Sequence, residues 1–170
     1  MTATTPQPVS RDHRHPGWLQ GAAVGLTAAI AGTLTLIVLG AINGRGVAIL
    51  GAVGMGPWPS AVRALTGASP AVSYLVSHTT LYLLAGLVAL AVARVADRLP
   101  VLLTGLLLVI MVIEFGYLVV MTGWQATGHF DGVTWQSVLV AHVVANVSLL
   151  IGILWVHPSL KSAFRRAYQE

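Results

Sequence analysis

LLTGLLLVIMVIEFGYLVVM, Leu102–Met121, is twenty residues long, almost wholly apolar, and holds one ionisable residue, Glu114. At about 1.5 Å of rise per residue, a helix of this length matches a hydrocarbon layer of roughly 30 Å, so the stretch predicts a membrane-spanning helix. An acidic residue at the centre of such a helix costs about 2.5–3.5 kcal/mol on insertion scales. Intramembrane carboxylates therefore face protein, find partners and carry function by default. The reading of the whole chain turns on whether other segments supply partners for Glu114.

The composition supports a membrane setting. The 170 residues are 56% hydrophobic and only 8% charged, against about a quarter charged in soluble domains. The absence of cysteine excludes disulfides, thiolate metal sites and thiol catalysis together. The net charge of +4 comes from basic residues flanking apolar segments, which is a topology pattern and not a nucleic-acid footprint. No nucleotide-binding loop, HExxH or serine-nucleophile motif occurs, so a stand-alone enzyme or an ATP-driven pump is not expected.

Working outward, the chain divides into a polar tail (1–17, expected to be disordered), a membrane domain (18–156) and a basic amphipathic tail (157–170). The expected fold is an all-α, four-transmembrane-helix, up-down-up-down bundle. Its spans are TM1 at 18–42, TM2 at 70–96, TM3 at 100–123 and TM4 at 133–156. TM1 carries Gly21, Gly25, Ala28 or Ala29, and Gly32 on one stripe, a surface on which another backbone can approach closely. The 27-residue connection Asn43–Ser69 is long for a bundle. Within it, Val47–Met55 is apolar but too short to span, and Ser60–Thr66 predicts a short helix capped by Ser60 and ended by Gly67. Ser69 and Pro70 form a helix start for TM2, and Arg94, Asp97 and Arg98 close it. Asp131 or Thr134 is the expected cap of TM4, and His157 with Pro158 ends it. In the tail, Lys161, Arg165 and Arg166 oppose Leu160, Phe164 and Tyr168, which predicts a helix on an anionic membrane surface. With both termini cytoplasmic, seven basic residues (Arg11, Arg14, Arg94, Arg98, Lys161, Arg165, Arg166) lie inside and two (Arg45, Arg63) outside. This favours the cytoplasmic membrane and that orientation.

Buried polar residues can meet only at a common depth. His78 lies eight residues below the start of TM2, Glu114 nine below the outer end of TM3, His142 nine below the start of TM4 and Thr33 nine below the end of TM1. All four are therefore roughly 12–14 Å deep. The bundle order places TM2 and TM4 on a diagonal, with TM3 touching both. His78, Glu114 and His142 then form a candidate metal site for iron, zinc or copper. Thr33, Tyr74, Tyr82, Met111, Tyr117 and Asn146 are its expected surroundings, and Met121 shares the Glu114 face. Haem b held by His78 and His142 is the second choice. The third reading is cofactor-free, a structural lock or a proton relay in a small transporter. The sequence thus favours a metal-dependent or redox-linked membrane protein, with the bilayer, partner subunits of a complex or a second copy as its partners and no nucleic acid.

Overall fold

The computed structural model describes residues 17–96, 101–126, 133–160 and 162, and within 101–126 the side chains at 103, 104, 107, 111, 114, 118 and 124–126 fall outside that description. The described residues form six helices: α1 (Trp18–Ile42), α2 (Ala48–Val53), α3 (Pro57–Thr66), α4 (Pro70–Ala96), α5 (Val101–Ala126) and α6 (Trp135–Val156). Three of them, α1, α4 and α6, are long and apolar enough to cross a membrane.

These three are apolar on both sides, but with different residues on each. On α1 the buried positions are Gly21, Val24, Gly25, Ala28, Ala29, Gly32, Leu36 and Gly40, at the three-and-four spacing of one helical face. Leu26, Ile30, Leu34 and Val38 cover the opposite face and are exposed. Small residues inside and large apolar residues outside is the arrangement expected of helices packed in lipid, where close van der Waals contact holds them together. Four hydroxyls within the spans are satisfied locally: Thr27 bonds to the Ala23 carbonyl, Thr35 to Ala31, Ser77 to Ser73 and Ser148 to Val144.

The main difference from the sequence reading concerns which helix organises the bundle. α1 packs most extensively against both α4 and α6, whereas α5 touches those two more sparingly. The reason is side-chain size. Gly21, Gly25 and Gly86 let the α1 and α4 backbones meet directly, and Gly32 brings α1 onto Ala141 and Ala145 of α6. The glycine stripe on TM1 is therefore the central packing surface.

The connection after α1 also differs in detail. Val47–Met55 contains α2, whose Ile49, Leu50 and Val53 are buried with Leu36 and Tyr74. Gly54 sits directly against the Pro70 carbonyl. α3 begins at Pro57 after Gly56, not at Ser60; Pro57 and Pro59 suit a first turn that has no intrahelical donors to lose. The Ser60 hydroxyl instead bonds to the Gly56 and Met55 carbonyls. Gly67 ends the helix in the left-handed conformation (φ 67°), as its sequence position implies.

α4 opens at Ser69–Pro70, with the Val72 amide donating to the Ser69 hydroxyl. α5 extends to Ala126, three residues past the expected end, and α6 starts at Trp135 with Thr134 as its cap, accepting from the Ser137 amide. Thr134→Ala is expected to lower stability by about 1 kcal/mol in a reversible detergent-unfolding experiment. His157 ends α6. The tail 1–16, Asp97, Arg98 and Pro100, the segment 127–132 with His129 and Asp131, and Lys161, Arg165 and Arg166 all lie outside the described residues.

Candidate imidazole site

Among the described residues the interior contains two apolar clusters. One, at the α2 end, comprises Leu36, Ile49, Leu50, Val53, Tyr74, Met121, Val133, Val138 and Ala141. The other contains Val24, Ala28, Ala29, Tyr82, Ala89, Leu90 and Ala93, with Ala145, Leu149, Ile153 and Leu160. His78 lies between Tyr74 of the first and Tyr82 of the second, and His142 lies between Ala141 and Ala145. The two histidines thus occupy the seam between the clusters, at the level of Gly32 and Thr33 on α1.

Both rings are buried, His78 at 5% and His142 at 9% exposure, with centroids 5.9 Å apart and planes tilted by 59°. The i, i+4 row on α4 surrounds His78: Tyr74 stacks on it at 5.0 Å and Tyr82 packs at 4.8 Å. Tyr117 of α5 stacks on His142 at 4.4 Å, nearly parallel, and Tyr82 meets the same ring edge-on at 6.4 Å. One turn from the pair, the Tyr82 hydroxyl donates to Asn146 Oδ1 at 3.3 Å, joining α4 to α6.

The decisive polar atom is His78 Nε2, which is buried and, among the described residues, makes no hydrogen bond of good geometry. It faces Gly32 of α1, where a β-carbon would stand 3.2 Å from it. A weak hydrogen bond links the ring to the Ala29 backbone of α1. A buried imidazole nitrogen without a partner carries a desolvation cost of about 1–3 kcal/mol.

The site therefore brings together His78, His142, Tyr74, Tyr82, Tyr117 and Asn146, all six named from the sequence. Thr33 also reaches the site, but its hydroxyl bonds Tyr74 and not a histidine. Met121 is buried in the α2-end cluster. The side chains of Glu114 and Met111 lie outside the described residues, and among the described residues no three His, Cys, Asp or Glu side chains form a group that could hold a metal. The place of Gly32 beside His78 Nε2 is set by the rotation of α4 relative to α1, which residue spacing does not give. A further buried histidine, His157, is separate: its Nδ1 pairs with the Ser159 hydroxyl at 2.7 Å at the end of α6.

His78 and His142 lie at similar heights along α4 and α6 despite shifted helix ends. From the observed starts, His78 is eight residues into α4 and His142 seven into α6, about 12 and 10 Å along the helices. No family model, curated protein or solved structure matches this chain.

Proposed function

We propose that the chain is a metal-dependent or redox-linked membrane protein whose working part is a transition-metal site held by His78 and His142, with Glu114 as the third donor. The observation that carries this reading is the buried Nε2 of His78, which makes no well-formed hydrogen bond among the described residues, with the ring of His142 beside it. Two imidazoles sharing one ion, with metal–nitrogen bonds of about 2.0–2.1 Å, hold their ring centroids roughly 5–6.5 Å apart. The separation of 5.9 Å falls within that span. Two imidazoles and a carboxylate suit iron, zinc or copper. The ion would supply a Lewis acid or a one-electron centre in an apolar interior. Tyr82, bonded to Asn146, fixes the α4–α6 spacing on which a shared ion depends.

Haem is the weaker fit. A porphyrin would need room beside His78 Nε2, which faces the α1 backbone at Gly32. The Tyr82–Asn146 bond favours one alternative, a cofactor-free lock between α4 and α6 or a proton relay. In either case α5 is read as the fourth span, with both termini cytoplasmic in an inner membrane and a complex or a second copy as protein partner.

Elemental analysis of the purified protein tests the proposal. We expect about one transition-metal ion per chain, as the single shared site implies, with loss of the metal in His78→Ala and in His142→Ala and weakened retention in Glu114→Gln. A metal-free wild type that takes up no iron, zinc or copper would end the metal reading. Proton-coupled uptake in proteoliposomes, abolished by Glu114→Gln, would replace it with the relay.

A further inference from the structure

On α3, Trp58, Ala61 and Leu65 fall at i, i+3 and i+7, one stripe along a ten-residue helix. All three are exposed, Trp58 at 77% and Leu65 at 88%. The other side of the helix is held in place. Pro59 is buried, Ser60 bonds to the Met55 and Gly56 carbonyls, the Arg63 guanidinium donates to Met55 Sδ at 2.8 Å, and α3 packs on α4. The stripe is therefore presented away from the protein by a fixed helix.

What covers it follows from where it sits. Only three residues, Gly67 to Ser69, separate the end of α3 from Pro70, the start of α4. At about 3.3–3.6 Å per residue they keep the two helix ends within roughly 15 Å. The exposed apolar surface of the spans begins at that same level, with Val72, Leu75 and Val76 on α4 and Val38 and Ile42 at the end of α1. The α3 stripe thus continues the bilayer-facing surface at its edge. Its residues match that depth: a tryptophan, whose ring is apolar with one polar N–H, belongs at the headgroup level, and a leucine reaches the acyl boundary. α3 contains no acidic residue, and its one basic residue is turned to Met55.

We infer that α3 is an interfacial anchor that lies in the plane of the lipid leaflet on the α2 side, with Trp58 and Leu65 inserted by apolar contact. Attraction between charges is not the driving force, so a zwitterionic leaflet suffices.

The absence of cysteine makes the test direct. Full-length Trp58→Cys, Ala61→Cys and Leu65→Cys variants, each labelled with an environment-sensitive dye, are reconstituted in phosphatidylcholine vesicles, with Asn43→Cys as an exposed reference. Quenching by aqueous iodide should be severalfold weaker at 58 and 65 than at 43. A quencher carried at the lipid headgroup should act strongly at 58 and 65, and adding anionic lipid should leave the pattern unchanged. Iodide quenching at 58 and 65 equal to that at 43 would overturn the proposal. So would shielding from both quenchers together with cross-linking between copies at Leu65→Cys, which would assign the stripe to a second chain.

Discussion

Gly25→Val is expected to abolish the folded bundle, and Gly86→Ala to come close to doing so. A β-carbon at Gly25 would run into the Tyr82 carbonyl oxygen and stand 2.9 Å from Leu83 Cα. One at Gly86 would run into the Gly21 carbonyl oxygen and stand 2.7 Å from the Gly25 amide nitrogen. Every obstructing atom is backbone, so no rotamer change relieves the clash and α1 must move away from α4. Overpacking in a close-packed interior costs about 1–3 kcal/mol, more where nothing can yield. The upper end or beyond is expected here, read as a collapse of the unfolding midpoint in mixed micelles and loss of the monodisperse species in gel filtration. Gly116→Ala supplies the contrast. Nothing lies within 4 Å of its β-carbon position, so the substitution should be neutral or stabilising by up to about 1 kcal/mol through helix propensity alone. A Gly25→Val protein as stable as wild type would refute direct backbone contact between α1 and α4.

The second large effect separates the ligand reading from the lock. His78→Leu removes a buried nitrogen that makes no well-formed hydrogen bond among the described residues, while keeping an apolar side chain between Tyr74 and Tyr82. If His78 is retained as a ligand, the metal-free variant should be as stable as metal-free wild type or gain about 1–3 kcal/mol, since an unsatisfied buried group is costly. Metal should then distinguish the two proteins sharply. At a thousandfold excess over the dissociation constant, a ligand that binds only the folded state stabilises it by about 4 kcal/mol, and this increment should be present in wild type and absent in His78→Leu. A structural lock gives the opposite result: His78→Leu loses stability without metal, and metal changes neither protein. Unfolding curves with and without iron, zinc or copper decide between them.

Much of this architecture could be read from residue spacing. The row Tyr74, His78, Tyr82 and Gly86 at i, i+4 determines which face of α4 is buried, and all four are buried. Small residues at the same spacing predict the inward face of α1, because in lipid only close packing distinguishes inside from outside. Depth, counted from helix ends, was sufficient to bring His78 and His142 together even though the end of α5 and the start of α6 moved by two or three residues. What spacing could not supply was relative rotation and distance between helices. It could not show that α1 would meet α4 and α6 more intimately than α5 does, because that depends on glycines on different helices meeting at the same height. Nor could it place Thr33 on Tyr74 instead of a histidine, since a shared depth leaves the angular position open. The start of α3 was misplaced because Ser60 is a good capping residue in isolation. Pro57 and Pro59 in the preceding turn, themselves compatible with a helix start, outweigh it.

The imidazole pair lies between two apolar layers, with Leu36, Ile49, Leu50 and Val53 on one side and Leu90, Leu149 and Ile153 on the other, all at or below 5% exposure. Exchange with either aqueous phase along the bundle axis therefore waits on the opening of one layer. An ion held by the pair, as proposed, would be released only when the surrounding packing opens as well as its own bonds. In the first layer, Ile49, Leu50 and Val53 come from the six-residue helix α2. Substitutions at Ile49 or Leu50 should therefore change rates of loading and loss while leaving the equilibrium preference of the site largely intact.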